Sequence, residues 1–462
     1  MTVFDAKRLR AGLGGARVVL PGDREYDTAR RVWNGRIDRH PAAVVFARDV
    51  KDVRATVTLA REGGARLFVR GGGHSVAGLA VGEGVVLDVS GLRDIEVDPV
   101  AGTARVGSGL RLGDVDRATQ RFGVAVPLGT DSEVGLAGLT LGGGNGWLMG
   151  AHGATVDSLL SVELVCADGT VRLASADVEP DLFWALRGGG GNFGVATAFE
   201  FRLHPVGPEV VGGMIAYPWK SGFDALRLFR ELVARAPDEL TAFACLLHLD
   251  GEPVVAIAPC WCGPTRDAER VLAPLYRLRP VSDQLSVMPF VALQTSMDAA
   301  RPFGRQSAMR SHYMAQLSNA AIEAFIACFA ESPSPLSVAI IEHCHGAIAR
   351  VAPTATAFAP RRFPFHVEHI AFWSGAEAEA SRNLAWVQVC YAETSRFGTS
   401  AVYVNSLDAG EEHRVADAYG PNYERLRALK AIHDPDNVFS SNHNIRPLSA
   451  IARGRDGTAR TW

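Results

Sequence analysis

Apolar positions along this chain repeat with two different periods, and the change of period divides it into elements. Val53, Val57, Leu59 and Ala60 fall at helical spacing within residues 50–62, and Gly63-Gly64 supplies a stop, so a helix is predicted there. Short apolar runs at 42–47 and 65–69 flank it, which makes a β-α-β unit. Ahead of that unit, residues 1–40 read as a helical entry that runs through 29–34 toward Pro41. Beyond it come β runs at 95–97 and 103–106, a helix at 112–122 and a strand at 159–167. Asp168-Gly169 then turns the chain into 171–173 as a hairpin, and a short helix at 180–187 leads to a strand ending near Phe201.

After His204-Pro205 the pattern shifts. Helical periodicity is predicted at 223–234, at 265–275 with Thr265 as its cap, at 318–332 and at 377–394. Strands are predicted at 240–249, 253–262, 336–343 and 365–373. Sequential strands on short links, interleaved with helices, describe an antiparallel sheet covered by helices, and an α+β class. The expected division is 1–205, then 206–400, then a segment 401–450 that returns to the first part, with a disordered polar tail at 451–462.

Glycine is concentrated in three places that the periodicity does not explain. The first is Val69-Arg70-Gly71-Gly72-Gly73-His74-Ser75-Val76-Ala77-Gly78, directly after a strand. The second runs from Gly129, Thr130, Asp131 and Ser132 through Gly135, Gly138, Leu139, Thr140, Gly142, Gly143, Asn145 and Gly146 to Trp147, and the third is Gly188-Gly189-Gly190-Gly191-Asn192-Phe193-Gly194-Val195. Glycine lets backbone N–H groups converge on an anion without side chains in the way. Taken alone, the first loop is equally a tight turn whose histidine makes a surface hydrogen bond. Three such clusters are better explained together, as one nucleotide gripped by several loops. No Gly-Lys-Ser/Thr follows any of them, and none has the Gly-x-Gly-x-x-Gly strand-to-helix spacing of a nicotinamide site.

Composition narrows the class. Of 462 residues 47% are hydrophobic and 21% charged, the balance of a globular protein, and the length favours more than one core. A formal charge of -3 gives no electrostatic reason to expect nucleic acid or an anionic membrane as partner. The N-terminus lacks the basic-then-apolar pattern of a secretory signal, so a cytoplasmic location is expected. The 7 cysteines are scattered and odd in number, which reads as reduced thiols. Cys260-Trp261-Cys262 and His343-Cys344-His345 do not share the regular spacing of a zinc site, and no metal is expected.

Together the three clusters and the C-terminal stretches Tyr419-Gly420-Pro421-Asn422-Tyr423, Asp434-Pro435-Asp436-Asn437 and Asn442-His443-Asn444-Ile445 resemble the berberine-bridge-enzyme-like flavoproteins of the vanillyl-alcohol oxidase superfamily. The resemblance covers most of the chain. It implies a two-domain FAD-binding fold, with residues 1–205 and the C-terminal segment holding FAD and the stretch between them covering the substrate. It also implies cofactor contacts from the three glycine clusters and from Asn442 and Asn444, and a covalent bond from His74 to the 8α carbon of the flavin. Some relatives carry a second link through a cysteine where this chain has Asp131, so attachment through His74 alone and a compact substrate are expected.

Glu368 matches the family's catalytic glutamate, with His366 on the same strand face; an exposed glutamate on an edge strand is the alternative. Tyr403 is the competing base, although Ser406 replaces the second tyrosine of the relatives' Tyr-x-Asn-Tyr pattern. His343, His345 and Trp373 are further candidates for lining the substrate cleft, with packed strand histidines as the other reading of the pair. The expected activity is hydride removal from an alcohol or amine carbon of a small molecule, with oxygen as acceptor and an open oligomeric state. An oxygen-excluding dehydrogenase and a flavoprotein that sequesters a drug are the alternatives.

Overall fold

The computed structural model describes residues 6–375 and 377–448. The expected tail at 451–462 lies outside the described residues, as do the first five positions. Strands β1 (Arg17–Val19), β2 (Ala43–Phe46), β3 (Leu67–Arg70) and β4 (Val85–Asp88) form a sheet in the order β1-β2-β4-β3. β4 runs parallel to both of its neighbours, and all of its residues are buried, as in any parallel strand covered on both faces. Helix α1 (Val50–Glu62) begins where the Asp49 carboxylate accepts the N–H groups of Lys51 and Asp52, and it ends at Gly63. The β-α-β unit is therefore present, but β4 lies between its two strands. The first glycine loop leaves the carboxyl end of β3, the end at which open α/β sheets bind ligands.

A second sheet is antiparallel throughout. It contains β5 (Ile95–Asp98), β6 (Thr103–Gly107), β7 (Leu159–Val165), β8 (Val171–Ser175) and β9 (Val195–Arg202) in the order β5-β6-β9-β7-β8. The Asp168-Gly169 turn joins β7 to β8 as the sequence predicts.

Three local expectations need correction. The entry segment is not helical through 29–34: a short helix spans Tyr26–Ala29, and the chain then opens so that Trp33 N–H can donate to Gly73 O at 2.9 Å. The second glycine region is not all loop, because Leu136–Gly142 forms a helix, α2, between Gly135 and Gly143. Burial of Leu136 and Leu141 outweighs the poor helix propensity of glycine there. Thr265 is the first residue of its helix rather than the cap, which is Pro264.

The middle of the chain builds a nine-stranded sheet. Helix α3 (Gly222–Val233) precedes β10 (Leu240–Leu249) and β11 (Glu252–Trp261). After these come β12 (Gln306–Met314), helix α4 (Asn319–Ala330), β13 (Val338–His343), β14 (Phe365–Trp373) and helix α5 (Glu377–Thr394). The order β11-β10-β13-β14-β12 leaves β14 in the interior, and every residue of β14 is buried. β12 carries no clean alternation of polarity and was not anticipated, nor were the short strands Glu209–Gly212, Ile215–Pro218 and Ser286–Pro289.

The two faces of this sheet do different jobs. Ala244, Ile257, Ile341, Val367 and Trp373 pack under Phe229 of α3, Phe325 of α4 and Trp386 of α5. Phe243, Ile340, Ile370 and Phe372 face the other way, into a core shared with Trp147, Leu148 and Val404. Trp147, at the end of the second glycine cluster, stacks on Phe243 with ring centroids 4.6 Å apart. Among the described residues no helix is long and apolar enough to cross a membrane.

The C-terminal helix α6 (Tyr423–His433) is fastened to the third glycine cluster by a buried ammonium group. Lys430 Nζ donates to Asn192 O at 2.6 Å, to the Asp434 carboxylate at 2.6 Å and to Phe439 O at 3.1 Å. Truncating one partner of such a pair strands a buried charge. Lys430→Ala is expected to destabilise the protein by about 3–5 kcal/mol, measured as the loss of unfolding free energy in denaturant.

Candidate active site

The three glycine clusters come together because glycine permits backbone to meet backbone. A Cβ on Gly72 would lie 2.4 Å from Gly135 N, and one on Gly135 would lie 2.2 Å from Gly72 N. The first two loops are thus zipped along their main chains. In the third cluster Gly190 has φ of +70°, and a Cβ on Gly191 would meet Asn442 Oδ1 at 2.9 Å. Between these loops and the sheet lies a cavity of about 330 Å³, within the range of small-molecule sites.

The cofactor candidates divide by position. Gly71, Gly72, Gly73, His74, Ser75 and Val76 line the cavity. Gly129, Thr130, Gly135, Gly138, Leu139 and Asn145 do so from the second cluster, and Gly194, Val195 and Asn442 from the chain's other two segments. The remaining candidates stand behind the wall. Arg70 pairs with the buried Asp88 across β3 and β4. Gly78 lies against Ile37, Gly142 against Asn405, Gly143 against Phe358 and Gly146 against Leu128 O, so these glycines make room for packing. Ser132 donates its N–H and hydroxyl to the Asp298 carboxylate, while Thr140 and Asn444 are absent from the lining.

His74 is held flat against Trp33, ring centroids 4.4 Å apart at 22°. Its Nε2 has no hydrogen-bond partner and lies 3.8 Å from Asp131 Oδ2. That distance falls in the ion-pair range, but the groups are not an ion pair. Burial, assisted by the Arg301 charge, pushes the imidazole down to about 3, and burial pushes the Asp131 carboxyl up. His74 is therefore a neutral imidazole, the form with a free lone pair.

On the sheet side, alternation along β14 puts His366, Glu368, Ile370 and Phe372 on the cavity wall. Glu368 is buried on an interior strand, which removes the reading of it as an exposed edge residue. Its Oε1 accepts a 2.6 Å hydrogen bond from Ser406 Oγ. Burial raises this carboxyl above its ordinary range, and the neighbouring His366 opposes the shift. His366 Nδ1 lies 3.0 Å from Glu342 Oε2, in a rung where Glu342, His366 and Tyr313 pair across β13, β14 and β12. Burial works against the His366 cation, yet the Glu342 hydrogen bond and charge carry its pKa upward. Its Nε2 is unpartnered.

Tyr403 reaches the cavity, but its phenol is already engaged. Tyr403 Oη accepts from Gly144 N–H at 2.8 Å and from Asn405 Nδ2 at 2.9 Å, and burial raises its pKa further. A protonated phenol is a poor base. Trp373 points to the helix-covered face, as the same alternation on β14 requires. His343 and His345 stack on each other at 4.3 Å, with His345 Nε2 near Pro237 O, and neither lines the cavity. His343 ends its strand and His345 lies beyond it, so the two rings pack against each other outside the cavity rather than standing together on one strand face. Among the described residues no group of three or more His, Cys, Asp or Glu side chains is placed to hold a metal ion.

Sequence reasoning missed Glu342 and Arg301, which line the cavity together with Trp33. Alternation along β13 sets Glu342 on the face of Ile340 and opposite His343, a signal that was available. Arg301 lies in an irregular segment that no period marks.

The comparisons with known proteins agree with this geometry. The family described as FAD binding domain matches residues 41–175, and the family described as berberine and berberine like matches 402–446. The FAD-linked oxidoreductase YgaK of Bacillus subtilis (strain 168) is 31% identical over 441 residues, covering 94% of this chain and 97% of its own. The (R)-6-hydroxynicotine oxidase of Paenarthrobacter nicotinovorans is 30% identical, covering 93% and 96%. Among solved structures, Physcomitrella patens BBE-like 1 superposes with a TM-score of 0.87 at 28% identity, covering 96% of this chain and 99% of that one.

The residues fit FAD. A cradle of glycines with no room for side chains, a neutral histidine with a free ring nitrogen and an Asn145 amide with no partner all face one cavity. Gly72→Ala is expected to part the two zipped loops. The purified variant should show a several-fold lower flavin-to-protein absorbance ratio than the wild type while retaining its far-ultraviolet circular dichroism.

Proposed function

Since the chain belongs to the berberine-bridge-enzyme-like FAD-linked oxidoreductases, we propose that it is an oxidase acting on an alcohol or amine carbon of a compact small molecule. The net reaction converts H–C–XH and dioxygen to C=X and hydrogen peroxide. Glu368 carries this reading: it is a buried carboxylate on the wall of the cavity that His74 also lines, on a strand that fixes its direction. When bound, FAD supplies the acceptor for the hydride.

The protein's own groups supply the rest. Glu368 takes the proton from the substrate hydroxyl or amine, and its raised pKa makes it a stronger base than an exposed glutamate. Ser406 holds the carboxylate in one orientation. Glu342 holds His366 beside it, leaving the unpartnered Nε2 to orient the substrate heteroatom. Tyr403, fixed by Gly144 and Asn405, serves as a wall and hydrogen-bonding group rather than a base. His74 is the single point of covalent attachment, its ring plane set by Trp33.

The test is anaerobic mixing of the flavin-loaded protein with alcohols and amines. Loss of the visible flavin absorbance marks an oxidoreductase substrate, and binding without bleaching would favour the sequestering alternative. Peroxide formed in air separates an oxidase from a dehydrogenase. With a substrate found, Glu368→Gln is expected to lower turnover by about 10²–10⁴-fold.

Because the base must be ionised and burial raises its pKa, kcat/KM should rise with pH through a midpoint above 4.5, the ordinary value for glutamate. The Ser406 hydrogen bond lowers that pKa, so Ser406→Ala should move the midpoint to higher pH. A midpoint that Glu368→Gln leaves in place would assign the base elsewhere.

Attachment is checked by acid denaturation. The wild type should remain yellow and fluorescent after precipitation and washing, whereas His74→Ala should release its flavin.

A further inference from the structure

Residues 296–305 form an irregular segment that contributes Arg301 to the cavity wall, and both of its ends are clamped. Near its start, a single turn at Asp298–Ala300 is pinned by Ser132, whose N–H and hydroxyl donate to the Asp298 carboxylate at 3.0 and 2.6 Å. At the other end Gly304 N–H donates to Trp33 O at 2.8 Å and Gly35 N–H to Arg305 O at 2.9 Å. The approach is so close that a Cβ on Gly35 would lie 2.0 Å from Gly304 O. Between the clamps, the Arg301 carbonyl accepts from Trp33 Nε1 at 3.0 Å. The backbone of Arg301 is therefore positioned by the ring that also carries His74.

Its side chain has no such engagement. The guanidinium lines the cavity, yet among the described residues it makes no hydrogen bond or ion pair. By contrast Arg36 pairs with Asp408, Arg70 with Asp88, Arg361 with Asp157 and Arg414 with Glu411. Asp298 accepts from Ser132 and Glu368 from Ser406, while Asp131 Oδ2 has no hydrogen-bond partner, and none of the three carboxylates pairs with Arg301. The Arg301 charge acts on His74, Asp131 and Glu368, which line the same cavity. Half-buried on the cavity wall, the guanidinium has five donors free to meet an anionic ligand. The planar fork matches a carboxylate in bidentate geometry.

We propose that Arg301 is the specificity-determining residue of this site and anchors a carboxylate on the substrate. The proposal rests on the oxidase reading of the same cavity and adds its substrate class, a carboxylate-bearing alcohol or amine. The clamps at Ser132 and Trp33 fix where the carboxylate sits, so the oxidised carbon lies at a set distance from it. Neutral analogues of the same shape enter the cavity but leave the guanidinium unpaired.

The test uses the flavin-loaded protein with benzoate and benzamide, two probes of one shape and different charge. Binding is read as perturbation of the visible flavin spectrum. Benzoate is expected to bind about 10- to 100-fold more tightly than benzamide, the usual contribution of hydrogen bonds to a charged group. Arg301→Met should abolish that preference without changing the benzamide Kd, and Arg301→Lys should restore part of it. Equal affinities in the wild type, no benzoate binding, or an unchanged preference in Arg301→Met would each overturn the proposal. So would a loss of flavin from Arg301→Met with the benzoate preference intact, since the group then serves the phosphates of the cofactor. If no alcohol or amine bleaches the flavin while the benzoate preference holds, the oxidase reading fails and the anion site stands. If neutral alcohols bleach it and the preference is absent, the reverse is true.

Discussion

The close approach of Gly72 to Gly135 is the contact on which this site depends. Two loops from distant parts of the chain touch main chain to main chain, at a separation that excludes even a methyl group. That seam brings the histidine of the first loop and Asp131 of the second to the same wall. The third cluster joins through Asn192, whose carbonyl is held by Lys430 from the C-terminal helix. Glycine-rich loops, C-terminal segment and cavity are thus one assembly.

Burial then sets the chemistry in opposite directions with a single cause. Removing water disfavours charge, so His74 is driven toward neutral imidazole and Glu368 toward a higher pKa. The first change frees a ring nitrogen, and the second makes a stronger base. Arg301 lines the same cavity with no hydrogen bond or ion pair at its guanidinium, and its planar fork gives that position its meaning. The large sheet makes the desolvation possible. One face is sealed under α3, α4 and α5, and the other is pressed against the glycine loops.

Much of this was legible in the residues. Helix α1, the β7–β8 hairpin and the adjacent strands β10 and β11 follow from period and turn chemistry, because those signals are local. The glycine clusters announced a nucleotide site, and the pairing of His366 with Glu368 on one strand face follows from alternation. Where alternation was not applied it would have corrected the reading: Trp373 lies one residue from Phe372 and so faces the helices. β12 was invisible because its sequence, Gln306 to Met314, mixes polar and apolar residues on a strand whose partners decide its burial. Helix α2 was invisible because glycine argues against it and only packing overrules that.

The sequence by itself determined most element types, the glycine-rich loops, the histidine among them and the strand that carries Glu368. Each is encoded within ten or so residues by period, glycine content or spacing. Tertiary structure alone decided which candidates share the cavity. It moved Gly142, Gly143 and Gly146 behind the wall, set His343 and His345 aside, tied Tyr403 to Gly144, and brought in Glu342 and Arg301. Those outcomes depend on contacts between residues far apart in the chain. Arg301 meets Trp33 across 268 positions and Tyr403 meets Gly144 across 259, and no local pattern records such a meeting.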